Sequence, residues 1–331
     1  MIKAIYLKTL EGPAELVTEN IAAIAEQKPK FIWVDLAVQN QDLTNEEISI
    51  LYDVFKFHEL SIEDSLIPQY HPKVEEFENY IFTAIHGLAA KAKNLSDLEN
   101  CVYEIDMFIG RDFLVTIHTE EHVFLETLFE KAKLKPQVEL KSVENLVYNI
   151  FQKVVGSYEF TLEKINETVD KIEDKLLGDP SPELMQEIFE LKKILLSMRK
   201  ITEPQKNVYS YFTRETAGLI SRKYTAYFRD IFFQYEHINQ SIANFNQLIG
   251  SILEVYVSGV TLKLNEIIKF LTLIATTFLP ALFITSYYGM NVVPFAEHRI
   301  FGNDNVWYFA VGSIVLSTIV TYLFMKRKKW F

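Results

Sequence analysis

The sequence predicts an α/β domain at the N-terminal end, then long helices and two C-terminal membrane-spanning helices. Three observations carry this. Two apolar stretches without Asp, Glu, Lys, Arg or His lie close together, between Lys269 and Glu297 and between Asp304 and Lys326. Short β-branched runs dominate ahead of Val143, and the apolar spacing turns helical after it. Charge is segregated: residues 1–150 hold 13 basic and 26 acidic side chains, residues 151–331 hold 20 and 18.

The averages conceal this segregation. The 331 residues carry a formal net charge of −11 and are 49% hydrophobic, with a mean hydropathy of +0.06. That hydrophobic fraction excludes an intrinsically disordered chain. The single cysteine, Cys101, excludes an intrachain disulfide framework and fits a reducing compartment. The negative total argues against a broad nucleic-acid surface, so no nucleic-acid partner is expected.

Taken in order, Met1–Lys8 alternates and reads as a strand, as does Phe31–Leu36. Asn45–Val54 has the capping and spacing of a helix. Val74–Phe82, Glu104–Ile109 and Phe113–His118 read as further strands, the last after the turn Gly110-Arg111-Asp112. This domain is expected over 1–142, with a helical hairpin region over 143–220. Asn149–Leu177 reads as one long helix stopped by Gly178-Asp179-Pro180. Ser181-Pro182-Glu183 caps the next, which is expected to run to about Thr202, and Pro204 and Gly218 punctuate a third segment.

A stalk helix is expected over 221–288, with its membrane part at about 267–288. An external loop follows over 289–305, a second span over 306–325 and a basic tail over 326–331. Each uncharged stretch can cross a bilayer, which takes about 20 residues at 1.5 Å rise. Lys326, Arg327, Lys328 and Lys329 hold the C-terminus in the cytoplasm. Two spans then place the N-terminus there too. Met1–Leu10 lacks the apolar core of a signal peptide, being interrupted by Lys3 and Lys8.

The stalk helix has two contrasting faces. Ile231, Tyr235, Ile238, Ile242, Phe245, Ile249, Ile252 and Tyr256 repeat at heptad spacing as an apolar packing seam. On the other side His237, Gln240, Asn244, Gln247, Ser251, Glu254, Ser258, Thr261 and Asn265 are all polar. That stripe continues into the uncharged stretch as Ile268, Thr272, Ala275, Leu279, Leu282 and Ser286. A wet face that keeps its phase into the bilayer is what a pore lining needs. Two helices per chain cannot enclose a pore, so several copies around an axis are required, and each stripe residue then becomes a ring.

Tyr287-Tyr288-Gly289-Met290-Asn291 stands at the outer end of this helix. Here the sequence resembles the CorA family of divalent-cation channels, whose signature is Gly-Met-Asn at the end of the first of two C-terminal membrane helices. The basic end Lys326–Trp330 resembles the family's C-terminus. LEVY and NEIIKFLTLIATTFLPALF resemble its stalk. Ile62-Glu63-Asp64, Pro72-Lys73-Val74-Glu75 and Tyr80 resemble its cytosolic domain.

The resemblance implies a funnel-shaped homopentamer in the inner cell membrane, surrounded by lipid and conducting Mg²⁺ inward, with Co²⁺ and Ni²⁺ as lesser cargo. It implies an outer selectivity ring of Gly289, Met290 and Asn291. It implies a pore lined by Asn265, Ile268, Leu271, Ala275, Leu279, Leu282 and Ser286, with Ile268 and Leu271 in a hydrophobic gate. The stripe nominates Thr272 where the family places Leu271. Glu254 matches an acid at the inner mouth, and Asp230 one at a regulatory subunit interface. Intracellular Mg²⁺ bridging such acids would hold a closed state. The chemistry suits the residues: Mg²⁺ dehydrates reluctantly, and Asn carbonyls accept hydrogen bonds from its waters without a charge to trap it.

Other features are weaker. His118 and His122 flank two acids at i, i+4 spacing but follow a strand directly, which favours a turn. A ring of His237 could bind Ni²⁺ or Zn²⁺. No Walker loop or dinucleotide fingerprint occurs, so neither an enzyme nor an ATP-driven pump is expected. Two alternatives stay open: a transporter of the same architecture for Zn²⁺ or another transition metal, and a membrane-anchored signalling or scaffold protein with a coiled-coil stalk.

Overall fold

The computed structural model describes residues 2–7, 15–17, 21–27, 29–38, 44–67, 71–89, 102–119, 123–176, 181–214, 219–289 and 305–327. The chain forms two compact units, Met1–Leu253 and Glu254–Phe331. The first is built on a seven-stranded sheet of β1 (Ile2–Leu7), β2 (Glu15–Val17), β3 (Phe31–Ala37), β4 (Lys73–Glu76), β5 (Tyr80–Leu88), β6 (Val102–Gly110) and β7 (Phe113–His118). Their order is β2-β1-β3-β7-β6-β5-β4. β3 and β7 run parallel, and the other neighbours antiparallel.

Alternation along the strands gives the sheet two apolar faces. On one, Tyr6, Val34, Leu36, Phe82, Phe108 and Ile117 form a core with residues of three helical segments. These are α1 (Ile21–Glu26), α2 (Asn45–Ser49) with a π-helical turn at Ile50–Val54, and α3 (Glu59–Leu66). Thr44 caps α2 through a capping box: its hydroxyl accepts from Glu47 N at 3.3 Å and Glu47 Oε2 accepts from Thr44 N at 2.8 Å. On the opposite face Trp33 stacks on Phe129 at 3.8 Å. Phe129 belongs to α4 (Val123–Leu134), which is followed by the short α5 (Pro136–Glu139). Next come α6 (Val143–Leu176), α7 (Pro182–Phe212) and α8 (Arg222–Gly289). The second unit holds the rest of α8 and α9 (Asn305–Arg327).

The π-helical turn ends in a left-handed residue. Phe55 N donates to Ile50 O at 3.1 Å and Phe57 N to Leu51 O at 3.0 Å, so the chain between them reverses sharply. Lys56 takes the turn at φ 57°, among the described residues the non-glycine position with positive φ. A Cβ is disfavoured there, and glycine is the usual occupant.

β5 outruns β4, which pairs with it only over Ile81–Ala84. Side chains of α6 and α7 take over the exposed edge. His86 N donates to Gln205 Oε1 at 2.8 Å, and His86 O accepts from Gln205 Nε2 at 3.0 Å and from Tyr158 OH at 2.9 Å. Leu88 N donates to Ser157 Oγ at 3.1 Å. Buried backbone groups without a strand partner are thereby satisfied.

The elements depart from the sequence reading in several places: α6 begins at Val143 rather than Asn149, and two further departures have a local cause. Val74–Phe82 is not one strand: a turn at Glu78–Asn79 divides it into β4 and β5, closed by Phe77 N donating to Tyr80 O at 2.8 Å. Nor does Pro204 end the second helix, because α7 continues to Phe212 with Pro204 inside it. An interior proline costs about 3 kcal/mol. The residues beyond it include Val208, Tyr209 and Phe212, all buried, and each such side chain returns about 1.5–3 kcal/mol.

Two outcomes follow for the full-length protein in detergent, read from urea midpoints. Gln205→Leu should lower stability by about 2 kcal/mol, because His86 N is then buried without a partner. Lys56→Gly should raise it by about 1 kcal/mol by relieving the left-handed position.

Candidate ion-conducting helix

The two faces of α8 are physically distinct in the first unit. Ile231, Tyr235, Ile238, Ile242, Ile249 and Ile252 are buried and Phe245 is half-buried, and Tyr256 of the second unit is buried too. Tyr235 packs on Tyr209 of α7 at 4.5 Å and edge-on to Tyr158 of α6 at 5.7 Å. Two turns earlier Phe228 meets Phe151 and Phe212. Lys206 of α7 pairs with Glu236 of α8 at 2.6 Å. Burial raises the Tyr158, Tyr209 and Tyr235 hydroxyls above the ordinary tyrosine range, so they stay neutral.

The polar stripe is exposed throughout. His237, Gln240, Asn244, Gln247, Ser251, Glu254, Ser258, Thr261 and Asn265 all face away from the packed seam. Ile268, Leu271, Thr272, Ala275, Leu279, Leu282 and Ser286 are exposed too. Both the stripe's Thr272 and the family-based Leu271 therefore lie at the surface of the chain. The most apolar stretches of α8 and α9 are almost wholly uncovered in the single chain. A core helix of a soluble protein would be mostly covered. Phe270, Phe278 and Phe283 are each more than half exposed, and so large an apolar surface marks a lipid or protein contact.

Polar groups in this stretch are handled as hydrocarbon requires. The hydroxyls of Thr276, Thr277 and Thr285 donate to the carbonyls of Thr272, Leu273 and Ala281 at 2.7, 2.8 and 3.0 Å. In α9, Ser313, Ser317, Thr318 and Thr321 do the same. Each hydroxyl is satisfied within its own helix. Pro280 removes one amide donor, yet α8 remains a single helix through it.

Gly289 is the last residue of α8. Glycine is usual at a helix end because it accepts positive φ, but no glycine among the described residues has positive φ. Close packing does not require it either: a Cβ at Gly289 would meet nothing within 4 Å. Neither ordinary reason for glycine operates among the described residues. Met290 and Asn291 lie outside the described residues.

Asp230 is exposed on α8, and its Oδ2 accepts from Gln234 Nε2 at 2.8 Å. Burial raises the Tyr148 hydroxyl above its ordinary range, and the Asp230 charge raises it further. Tyr148, on α6, is a neighbour that sequence reasoning missed, since helical spacing reveals nothing about a second helix. Among the described residues no group of three His, Cys, Asp or Glu side chains could hold a metal ion. His118 is buried beside Asp35, with Nε2 at 3.3 Å from Oδ1, and serves the sheet. His122 and Cys101 lie outside the described residues.

Known proteins resemble this chain over nearly its whole length. The family model for the CorA-like Mg2+ transporter protein matches residues 28–327. The cobalt/magnesium transport protein CorA of Thermotoga maritima is 30% identical over 281 residues, 84% of this chain and 78% of that protein. The complete structure of the CorA magnesium transporter from Methanocaldococcus jannaschii superposes with a TM-score of 0.82 at 21% identity, covering 100% of this chain and 99% of that one. The ZntB cytoplasmic domain from Vibrio parahaemolyticus gives a TM-score of 0.61 at 12% identity, over 77% of this chain and 96% of that one.

The open space at Gly289 yields a prediction. Gly289→Ala should leave the thermal stability of the purified chain within about 1 kcal/mol of the parent, as an exposed helical Gly-to-Ala change does. Any loss of transport would then report on something other than the packing of the described residues.

Proposed function

The chain belongs to the CorA-like Mg²⁺ transporter family, and on that premise we propose that it is a passive channel for Mg²⁺ influx. Co²⁺ and Ni²⁺ are lesser cargo. The observation that carries the proposal is the exposed stripe of α8, which keeps one phase from Glu254 through Asn265 to Ser286 and ends at Gly289. Five copies around an axis, lipid outside, would turn that stripe into the pore wall. Glu254 would supply a carboxylate ring at the cytosolic mouth and Asn265 an amide ring. Ile268, Leu271, Thr272, Ala275, Leu279, Leu282 and Ser286 would line the membrane part, and its leucines would close it by dewetting.

Gly289, Met290 and Asn291 would form the outer filter. Asn carbonyls there would receive the hydrated ion, since stripping Mg²⁺ of water is expensive. The basic end beginning at Lys326 and Arg327 keeps both termini in the cytoplasm of a cell whose inner membrane holds the protein. An inside-negative potential then drives a divalent cation inward by about 4.6 kcal/mol per 100 mV. Intracellular Mg²⁺ bridging Asp230 to acids of a neighbouring copy would favour a closed state, a population shift by binding to one conformation.

Uptake into proteoliposomes tests this directly, comparing Mg²⁺, Co²⁺, Ni²⁺ and Zn²⁺. Mg²⁺ uptake should respond to the imposed potential. Asn291→Ala should cut the initial rate by about tenfold or more, the equivalent of about 1.4 kcal/mol. Uptake indifferent to Asn291→Ala would overturn the channel assignment, and a Zn²⁺ preference would transfer it to the transition-metal reading. Asp230→Lys should abolish the Mg²⁺ sensitivity of the current, and unchanged sensitivity would remove Asp230 from regulation.

A further inference from the structure

One buried acid in the first unit lies on the sheet, outside the stripe of α8. Asp106 lies on β6, opposite Ala84 of β5 and Ile117 of β7. Its side chain shares the sheet face of Phe108 and Ile117, the face that packs with Ile62 of α3. Asp106 is 4% exposed, and its Oδ1 has no hydrogen-bond partner among the described residues. Buried carboxylates are ordinarily paired or richly hydrogen-bonded.

The charged groups around Asp106 make matters worse for an anion. Glu104 on its own strand and Asp64 on α3 are both acidic neighbours. β7 offers the apolar Ile117 on this face. The nearby cation, Lys73 of β4, is shared between Asp64 at 2.5 Å and Glu75 at 2.9 Å. His86 of β5 sits with its Nε2 3.8 Å from Glu104 Oε2. A metal ion does not resolve the conflict, because no three His, Cys, Asp or Glu side chains among the described residues are placed to hold one. A bound proton does.

We propose that Asp106 is a proton-binding site that makes the packing of α3 on the sheet depend on cytosolic pH. Burial first, then Glu104 and Asp64, push the Asp106 carboxyl well above the ordinary carboxylate range. The folded state therefore holds this proton more tightly than the unfolded chain does. Its contribution to stability is complete at low pH and is lost as pH rises through the folded-state value, the reverse of an ion-paired carboxylate. Once ionised, Asp106 faces Asp64 as a second anion, and release of α3 with entry of water relieves both.

Hydrogen exchange of the α3 peptide in the full-length protein tests the proposal, with rates corrected for the intrinsic effect of pH. Protection of residues 59–66 should fall on raising the pH, by up to about tenfold per pH unit. Asp106→Asn, which mimics the protonated acid, should flatten that dependence. Glu104→Gln should move the transition to lower pH by removing a like charge. Infrared spectroscopy of the parent protein at neutral pH should show a protonated-carboxyl band, lost in Asp106→Asn. Identical pH dependence in parent and Asp106→Asn would overturn the proposal. So would the absence of that band in the parent, a readout that does not require the variant to fold.

Discussion

A peptide group that enters hydrocarbon must be hydrogen-bonded inside its own helix, because no water is there to replace the bond. Much of α8 follows from that constraint. Within its uncharged stretch the helix cannot break without leaving peptide groups unsatisfied, and α8 runs continuously from Arg222 to Gly289. Its threonines must turn their hydroxyls onto backbone carbonyls, as Thr276, Thr277 and Thr285 do. Its formal charges must end before the bilayer, and the last is Lys269. Pro280 is the single place where one backbone donor is missing, and the helix absorbs it without a break.

The same helix meets different demands in each unit. In the first, aromatic packing fixes its seam: Tyr235 against Tyr209 and Tyr158, and Phe228 against Phe151 and Phe212. In the second, its apolar side chains are bare in the single chain. An apolar surface of that extent needs lipid or further copies over it. The polar stripe needs neither, and its exposure is what the channel reading draws on. Gly289 belongs to the same logic, since nothing among the described residues calls for a missing side chain there.

Much of this was legible along the sequence. The absence of charge located the spans, and periodicity separated the seam from the stripe residue by residue. The capping residue Ser181 also works as its position suggests. The short helices α1, α3 and α4 gave no comparable signal, because few residues carry each pattern. The split between β4 and β5 was hidden in a continuous run of strand-like residues, although Asn79 is a turn former. Pro204 misled for a physical reason: its local cost is real, but burial of the helix beyond it is larger.

The sequence by itself determined where the chain leaves water and which side chains share a face of α8. Those properties depend on composition and on a fixed helical period, both readable from near neighbours. Only the tertiary structure decided how β5 is completed, since Gln205 and His86 meet across 119 positions of sequence. Only it revealed that Asp106 is enclosed between Ala84, Ile117 and the acids Glu104 and Asp64. A side chain's solvation and charge environment are set by whatever the fold places against it, and no local pattern encodes that neighbour.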